Sequence, residues 1–311
     1  MAAAVAAALA LGSAGCGGGG AATGSNGLEK VVFGLAPVAP AGAFQVGIDQ
    51  GFFKAEGIEL ELKVVQGGAA VLPGVMSGNP MFATSNAITL LTARDQGIPV
   101  KIVSNASADR VPPAKGLYGV VARQGSAIRT TADLKGKTVA INTLRGLGEF
   151  TVGEAVKKAG GAPGDVHYVE LPFPDMAAAL KKGNVDAVWV PEPFLTSLTT
   201  DGTGQLAGYT TQESVPGLAS YVFTSERTDA DVVARMTRAL KKTLDYAEGH
   251  TDKVQAAATV LSGIPLATLQ KSGMESFGTD LHTDTLSAVG NLMQQRGWIK
   301  DGAGAVKGLL P

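Results

Sequence analysis

The chain has 311 residues, more than one compact core usually holds, so its length predicts two domains. Hydrophobic residues make up 45% and charged residues 17%, a balance typical of a globular protein. Lys and Arg number 26 against 27 for Asp and Glu, so the net charge is close to zero. Such a charge does not attract the protein to nucleic acid or to an anionic membrane surface. The composition therefore argues against nucleic acid as a partner.

Residues 1–15 form a short apolar run of small side chains. The run is shorter than the roughly 20 residues of a spanning helix, and it is typical of a secretory signal peptide. The only cysteine, Cys16, follows a Ser-Ala-Gly triplet that resembles the lipobox of bacterial lipoprotein signals, which implies an acylated, membrane-anchoring cysteine. The alternative is a soluble secreted protein, since a lone cysteine forms no internal disulfide. Residues 16–27 are rich in Gly and predict a flexible tether.

From residue 28 onward, short β-branched or aliphatic runs alternate with segments of helical periodicity, which indicates an α/β protein with largely parallel sheets. The predicted strands fall into two series, 31–36, 58–65, 81–85 and 100–104, then 138–142, 166–171, 186–190 and 205–209. Glycines predict the ends of the helical segments at Gly57, Gly78, Gly97, Gly160 and Gly183. Both series place a helix end, a Gly-Asn turn and a strand in the same order. This repetition predicts two similar lobes rather than one long doubly wound sheet.

Two further strand-like runs, 117–122 and 220–224, flank the second series and predict extended crossovers between the lobes. We expect lobe 1 to comprise 28–118 plus 221–311 and lobe 2 to comprise 119–220. Hinges are then expected near Tyr118 and Gly119, and near Tyr221 and Val222.

A long helix is predicted over 229–248, because apolar residues recur at helical spacing. We expect this stripe to pack back on lobe 1; its members are Val232, Met236, Leu240 and Leu244.

Open α/β sheets bind ligands at the carboxyl ends of their strands, so the loops after the first three strands of each lobe are predicted to face one another across a cleft. Several of these loops open helices, whose N-termini offer unpaired N–H groups to an oxyanion. A small acid or a polar heterocycle would fit such a cleft. The candidate ligand-binding residues are Pro37, Phe44, Gly67, Gly68, Ser85, Asn86, Asn142, Thr143, Arg145, Gly146, Phe173, Trp189 and Glu192.

Four stretches carry a family resemblance: DQGFFKAEGI at 49–58, LTARDQGIPV at 91–100, DLKGKTV at 133–139 and GNVDAVWVPEPF at 183–194. They resemble the type II solute-binding receptors of ABC importers, in the branch covering aliphatic sulfonates, taurine, nitrate and thiamine-type pyrimidines. The resemblance implies the two-lobe type II periplasmic-binding-protein fold and hinge closure on a small ligand. It also implies docking on ABC permease subunits at the extracytoplasmic side, with no nucleic acid. A monomer fits such docking.

Two charged candidates have alternative roles. Arg145 would contact a sulfonate or carboxylate through a bidentate hydrogen bond, or would pair with Glu149 one helical turn on. Glu192 would accept hydrogen bonds from a ligand amine, or would cap the helix that follows it.

The three aromatic candidates differ in their predicted positions and therefore in their expected roles. Trp189, in a predicted strand, is interpreted as core or as a stacking platform for a flat ligand. Phe44 and Phe173, predicted in loops, are the first choices for stacking.

No catalytic or metal constellation is found in the sequence. The three histidines, His167, His250 and His282, lack metal-ligand spacing. The KGKT stretch at 135–138 lacks the P-loop glycine, and the GLGEFT stretch at 146–151 lacks the third glycine of a dinucleotide fingerprint. Enzymes of this fold that make the thiamine pyrimidine use a cysteine-rich motif, which this chain does not have. We therefore expect a binding protein without cofactor or metal. A thiamine-pyrimidine-type receptor is the first alternative to a sulfonate-type one, and a pyrimidine-synthase-like enzyme of the same fold is the second.

Overall fold

A computed structural model describes residues 27–65, 67–110 and 116–311 of the protein. The predicted signal peptide, Cys16 and all but the last residue of the tether lie outside the described residues. Each of the ten predicted strands is present within one to four residues of its expected bounds. They are β1 (Glu29–Leu35), β2 (Ile58–Val64), β3 (Phe82–Asn86), β4 (Val100–Ala108), β5 (Tyr118–Arg123), β6 (Thr138–Ile141), β7 (His167–Glu170), β8 (Ala187–Pro191), β9 (Gly204–Tyr209) and β10 (Ala219–Ser225).

The strands form two five-stranded sheets of matching topology. The first has the order β2-β1-β3-β10-β4 and the second the order β7-β6-β8-β5-β9. In each sheet the first three strands pair in parallel, and a crossover strand, β10 or β5, joins antiparallel to its two neighbours. The predicted two-lobe α/β fold is confirmed. Each sheet also contains antiparallel pairs, made by the crossover strand, which the sequence analysis did not predict.

Helices cover the faces of both sheets. The five glycines expected to end helical segments all have φ between 73° and 89°, in the left-handed region that favours glycine, so these predictions are confirmed. The helices are α1 (Gly42–Asp49), α2 (Gly68–Ser77), α3 (Ala87–Asp95), α4 (Leu147–Lys158), α5 (Phe173–Lys182), α6 (Phe194–Thr200), α7 (Thr210–Ser214), α8 (Ala230–Gly249), α9 (Thr251–Ser262), α10 (Leu266–Leu269), α11 (Thr283–Gln295) and α12 (Gly302–Leu309).

The predicted long helix is α8. It begins after Asp229, whose carboxylate accepts hydrogen bonds from the backbone N–H groups of Asp231 and Val232. The apolar stripe expected to be core is buried in full. Helix α8 packs on α1 and β4 of the first sheet, and α11 and α12 pack on α3 and β4, so the C-terminal segment covers the first lobe.

The chain passes from the first sheet to the second between β4 and β5, and returns between β9 and β10 through α7. Within the described ranges, no helix combines the length and apolar character needed to cross a membrane.

Candidate functional site

A cavity of about 80 Å³ lies between the two sheets, at the carboxyl ends of their parallel strands. The larger part of its wall comes from the first lobe: Ala36, Val38, Pro40, Ala41, Phe44, Gly67, Thr84, Ser85, Asn86, Ala106, Ser107 and Ser220. The second lobe supplies Tyr118, Asn142, Leu147, Phe173, Trp189 and Pro191. Both lobes therefore contribute directly to one cavity, and none of the described residues in its wall is Lys, Arg or His.

Aromatic rings form the second-lobe wall. The Tyr118 and Trp189 rings stack with centroids 5.6 Å apart and planes 15° from parallel, and Phe173 lies 6.2 Å from Trp189. The Trp189 Nε1 donates a hydrogen bond of 2.9 Å to the Thr210 hydroxyl, which fixes the indole. Trp189 is thus both buried and part of the wall, and its role as a stacking platform for a flat ligand stays a prediction.

Phe44 and Phe173 both line the cavity, but not from loops. Phe44 lies in α1 and Phe173 is the first residue of α5, so the prediction that they occupy loops was wrong. In both cases the strand is followed almost at once by a helix, and the ring projects from its first turn.

Three helix N-termini converge on the cavity wall. Helix α2 follows Gly67, α3 follows Asn86, and α4 begins at Leu147. The Asn86 side chain accepts a hydrogen bond of 3.1 Å from the Thr89 N–H and caps α3. The unpaired N–H groups and partial positive charge of such termini suit an oxyanion or a carbonyl oxygen.

The floor of the cavity carries a polar network that includes Glu275. The Tyr118 hydroxyl donates to the Glu275 Oε1 at 3.2 Å, and the hydroxyls of Ser107 and Ser220 adjoin this pair. Burial, followed by the nearby charge of Asp109, raises the pKa of Glu275 from 4.5 to about 8. At neutral pH this carboxyl group is therefore protonated and can donate a hydrogen bond.

Two more polar features belong to the site, one behind the wall and one in it. Burial raises the pKa of Asp109 from 3.8 to about 6, close to Glu275. The Ser85 hydroxyl, in the cavity wall, is buried and has no hydrogen-bond partner among the described residues. A buried hydroxyl without a partner is costly, so a ligand atom that bonds Ser85 would be favoured.

The structure places seven of the thirteen sequence-predicted site residues in the wall: Phe44, Gly67, Ser85, Asn86, Asn142, Phe173 and Trp189. The other six are not among the lining residues: Pro37, Gly68, Thr143, Arg145, Gly146 and Glu192.

The Arg145 side chain does not form the expected pair with Glu149, and its contact with a ligand stays a prediction. Its backbone N–H, not its guanidinium, donates to the Glu149 Oε2 at 2.6 Å. The guanidinium donates to the Trp298 carbonyl at 3.2 Å and lies over the Trp298 ring, 5.0 Å from its centroid. Arg145 is exposed and has φ of 53°, a left-handed backbone that turns its side chain toward the C-terminal segment.

Glu192 is buried and its carboxylate accepts hydrogen bonds from the N–H and hydroxyl of Thr196, at 3.0 and 2.8 Å, as its capping alternative predicted. It also accepts from the Gly273 N–H at 3.3 Å, and its backbone carbonyl accepts from the Ala39 N–H at 3.2 Å. Gly273 and Ala39 belong to segments that pack on the first lobe, so Glu192 joins the two lobes beside the cavity.

Sequence reasoning missed Tyr118, Ser107 and Ser220 as parts of the wall. The strand-end rule considered only the first three strands of each sheet. Tyr118 and Ser220 lie in the crossover strands, which had been identified as connections between the lobes. A strand that joins two lobes must pass the base of their cleft. The predicted crossover strands could therefore have identified Tyr118 and Ser220 as wall residues. Among the described residues, no cluster of His, Cys, Asp or Glu is arranged to hold a metal ion.

Comparison with known proteins identifies a family to which the chain is similar. Residues 41–254 match the family described as NMT1/THI5 like. The taurine-binding periplasmic protein of Escherichia coli strain K12 is 27% identical over 154 residues, which cover 50% of this chain and 46% of that protein. The riboflavin-binding protein RibY of Chloroflexus aurantiacus is 30% identical over 144 residues, covering 44% and 38%. The chain thus matches less than half the length of these two relatives.

Among solved structures, the alkanesulfonate-binding protein SsuA from Xanthomonas axonopodis pv. citri bound to MOPS superposes with a TM-score of 0.74 at 17% identity. The superposition covers 91% of this chain and 98% of that chain. At this identity the likeness concerns the fold, and it extends over both lobes.

Proposed function

The chain belongs to the NMT1/THI5 like family, and we propose that it is the extracytoplasmic solute-binding receptor of an ABC importer. The observation that carries this proposal is the cavity, whose wall is built by both lobes at the carboxyl ends of their strands. A ligand bound to one lobe gains contacts with the other on closure, so ligand shifts the hinge equilibrium toward the closed form. The closed receptor then docks on permease subunits as a monomer and does no chemistry.

The ligand is a small molecule with an oxyanion or carbonyl acceptor and a short apolar or flat body. The acceptor would face the N-termini of α2, α3 and α4, and the body would lie against Trp189 and Tyr118. A ligand amine would donate to the hydroxyl oxygens of Ser107 and Ser220 in the wall. Taurine and other aminosulfonates combine these features. The similarity to a taurine-binding protein supports this ligand class.

A thiamine-pyrimidine-type or other heterocycle is the second candidate. The stacked Tyr118 and Trp189 pair favours it, because aromatic faces bind flat rings well. The wall also lacks Lys, Arg and His among its described residues, so a fully ionised ligand such as nitrate would rely on helix N-termini alone. The similarity to a riboflavin-binding protein supports this second ligand class.

Export and membrane anchoring through Cys16 rest on the N-terminal sequence. We propose that the signal peptide directs export and that an acyl chain on Cys16 holds the receptor at the cell membrane. Mass spectrometry of the protein from its native membrane fraction would test this: a diacylglyceryl mass on Cys16 supports the anchor, and an unmodified thiol contradicts it.

A thermal-shift screen tests the receptor function. The compounds are taurine, alkanesulfonates, nitrate, aminopyrimidines, riboflavin and aromatic acids. A ligand present at 100 times its Kd adds about 2.7 kcal/mol to the free energy of unfolding, which gives a clear rise in Tm. A shift by taurine or a sulfonate supports the first ligand class, and a shift by a ring compound alone supports the second. No shift by any compound would contradict a receptor for these ligands.

A further inference from the structure

Arg296 reaches from the first lobe into the second at the rim of the cleft. It follows α11, which packs on α3 and α12 of the first lobe. Its side chain contacts α4 of the second lobe, where Nη1 donates to the Phe150 carbonyl at 3.1 Å and Nε lies 3.4 Å from Glu154 Oε1. Both charged side chains are largely removed from water, with 11% of Arg296 and 6% of Glu154 exposed.

Helix α4 has a slot that admits this guanidinium. A Cβ atom at Gly153 would lie 2.4 Å from Arg296 Nη2, closer than any real Cβ contact. A glycine inside a helix is destabilising by about 0.5–1 kcal/mol relative to alanine. Here the missing methyl group opens the space that Arg296 fills.

Two aromatic rings flank the Arg296 guanidinium, one from each lobe. Its Cζ lies 5.1 Å from the ring centroids of both Phe150 and Trp298. Arg145 of the second lobe lies over the same Trp298 ring and bonds its carbonyl. A guanidinium is weakly hydrated and stacks on aromatic faces, so this environment offsets much of the cost of removing it from water.

The geometry points to an interlobe clasp, formed by Arg296, Trp298, Phe150 and Glu154, that holds the lobes closed without touching the ligand. All four residues lie outside the cavity wall. When the hinge opens, the guanidinium leaves both Phe150 and Glu154, so these interactions exist only in the closed arrangement. The clasp therefore acts as a positioning device that sets the balance between open and closed forms, whichever ligand the cavity takes.

Small-angle X-ray scattering of the full chain without ligand tests the clasp. A compact chain of 311 residues has a radius of gyration of about 19 Å, and a hinge opening raises it. We expect Arg296→Ala to show this increase over the wild-type protein. Acrylamide quenching of tryptophan fluorescence is expected to rise with it, because Trp189 in the cavity and Trp298 in the clasp both become accessible.

The matched control is Arg235→Ala. Arg235 is 19% exposed and pairs with Glu29 and Asp231, all within the first lobe, so its loss lowers stability without opening the cleft. Equal scattering of the wild-type and Arg296→Ala proteins, or equal expansion of the two alanine variants, would overturn the clasp.

Gly153→Ala supplies a second route from the opposite lobe, in case Arg296→Ala folds poorly. Its methyl group displaces the Arg296 guanidinium from the slot, so we expect expansion in the same direction as for Arg296→Ala and no larger. In the double variant the methyl group meets no guanidinium, and no further expansion is expected. Unchanged scattering for Gly153→Ala would also refute the clasp, since the slot would then be irrelevant to closure.

Discussion

Replacing Glu275 by Gln is expected to change how stability depends on pH. In the native protein Glu275 keeps its proton up to about pH 8, whereas an unperturbed glutamate loses it near pH 4.5. Between these values the native state binds more protons than the unfolded chain, so stability falls as pH rises. One proton corresponds to about 1.4 kcal/mol for each pH unit.

Glu275 dominates the window from pH 6 to pH 8, because Asp109, with a pKa of about 6, is already half ionised at pH 6 and contributes only about 0.4 kcal/mol above it. Over these two pH units we expect the wild-type protein to lose on the order of 2–3 kcal/mol relative to Glu275→Gln. The amide of Gln has the shape of the protonated carboxyl group and can still accept from the Tyr118 hydroxyl. The substitution therefore removes the titration while it keeps the network.

Urea unfolding at pH 6, 7 and 8, followed by circular dichroism, measures the difference. Glu59→Gln is the control, since Glu59 is an exposed carboxylate on β2 and its free-energy curve should run parallel to the wild type. If the stability difference between the wild type and Glu275→Gln is the same at pH 6 and pH 8, Glu275 does not carry a buried proton and the reasoning fails.

Two further predictions concern packing. Gly42→Ala would place a methyl group 2.1 Å from the Val254 carbonyl, where α1 crosses α9, so we expect a loss of about 1–3 kcal/mol and a Tm lower by several degrees in calorimetry. Gly249→Ala, with no atom within 4 Å of the added methyl group, should leave Tm unchanged or raise it. Thr210→Val removes the acceptor of the buried Trp189 Nε1, so unfolding in urea should show a loss of about 1–3 kcal/mol. An unaltered midpoint would mean that the indole finds another partner.

The fold could be predicted closely from the sequence because its signals are local. The glycines at 57, 78, 97, 160 and 183 each adopt the left-handed backbone that ends a helical segment, and the apolar runs between them are the strands. The stripe of α8 is likewise set by helical spacing alone. Such features depend on backbone sterics and on one amphipathic face, both of which can be read within a few turns of chain.

The site could be predicted only in part, because its chemistry depends on long-range placement. Arg145 stands in the expected loop, yet its guanidinium lies on Trp298, which is 153 residues further along the chain. Glu275 lies in a C-terminal segment with no strand-end signal, and it reaches the cavity floor through Tyr118. Spacing along the sequence reveals neither contact, since both arise when the C-terminal segment folds back over the cleft.

The contacts between the lobes are suited to a hinge that must reopen. Beside the cavity, Glu192 accepts from the Ala39 and Gly273 N–H groups, and Gly67 lies so near Asn142 that an added Cβ would sit 2.9 Å from its Nδ2. These contacts are polar or backbone ones, and water can replace each of them when the lobes part. Apolar contact between the lobes, such as that of Phe150 with Trp298 in the clasp, instead favours the closed form by roughly 25 cal/mol for each Å² buried. Because water replaces these polar contacts on opening, they add little to the free-energy difference between the open and closed forms, so the clasp and the bonds that a small ligand makes decide between them.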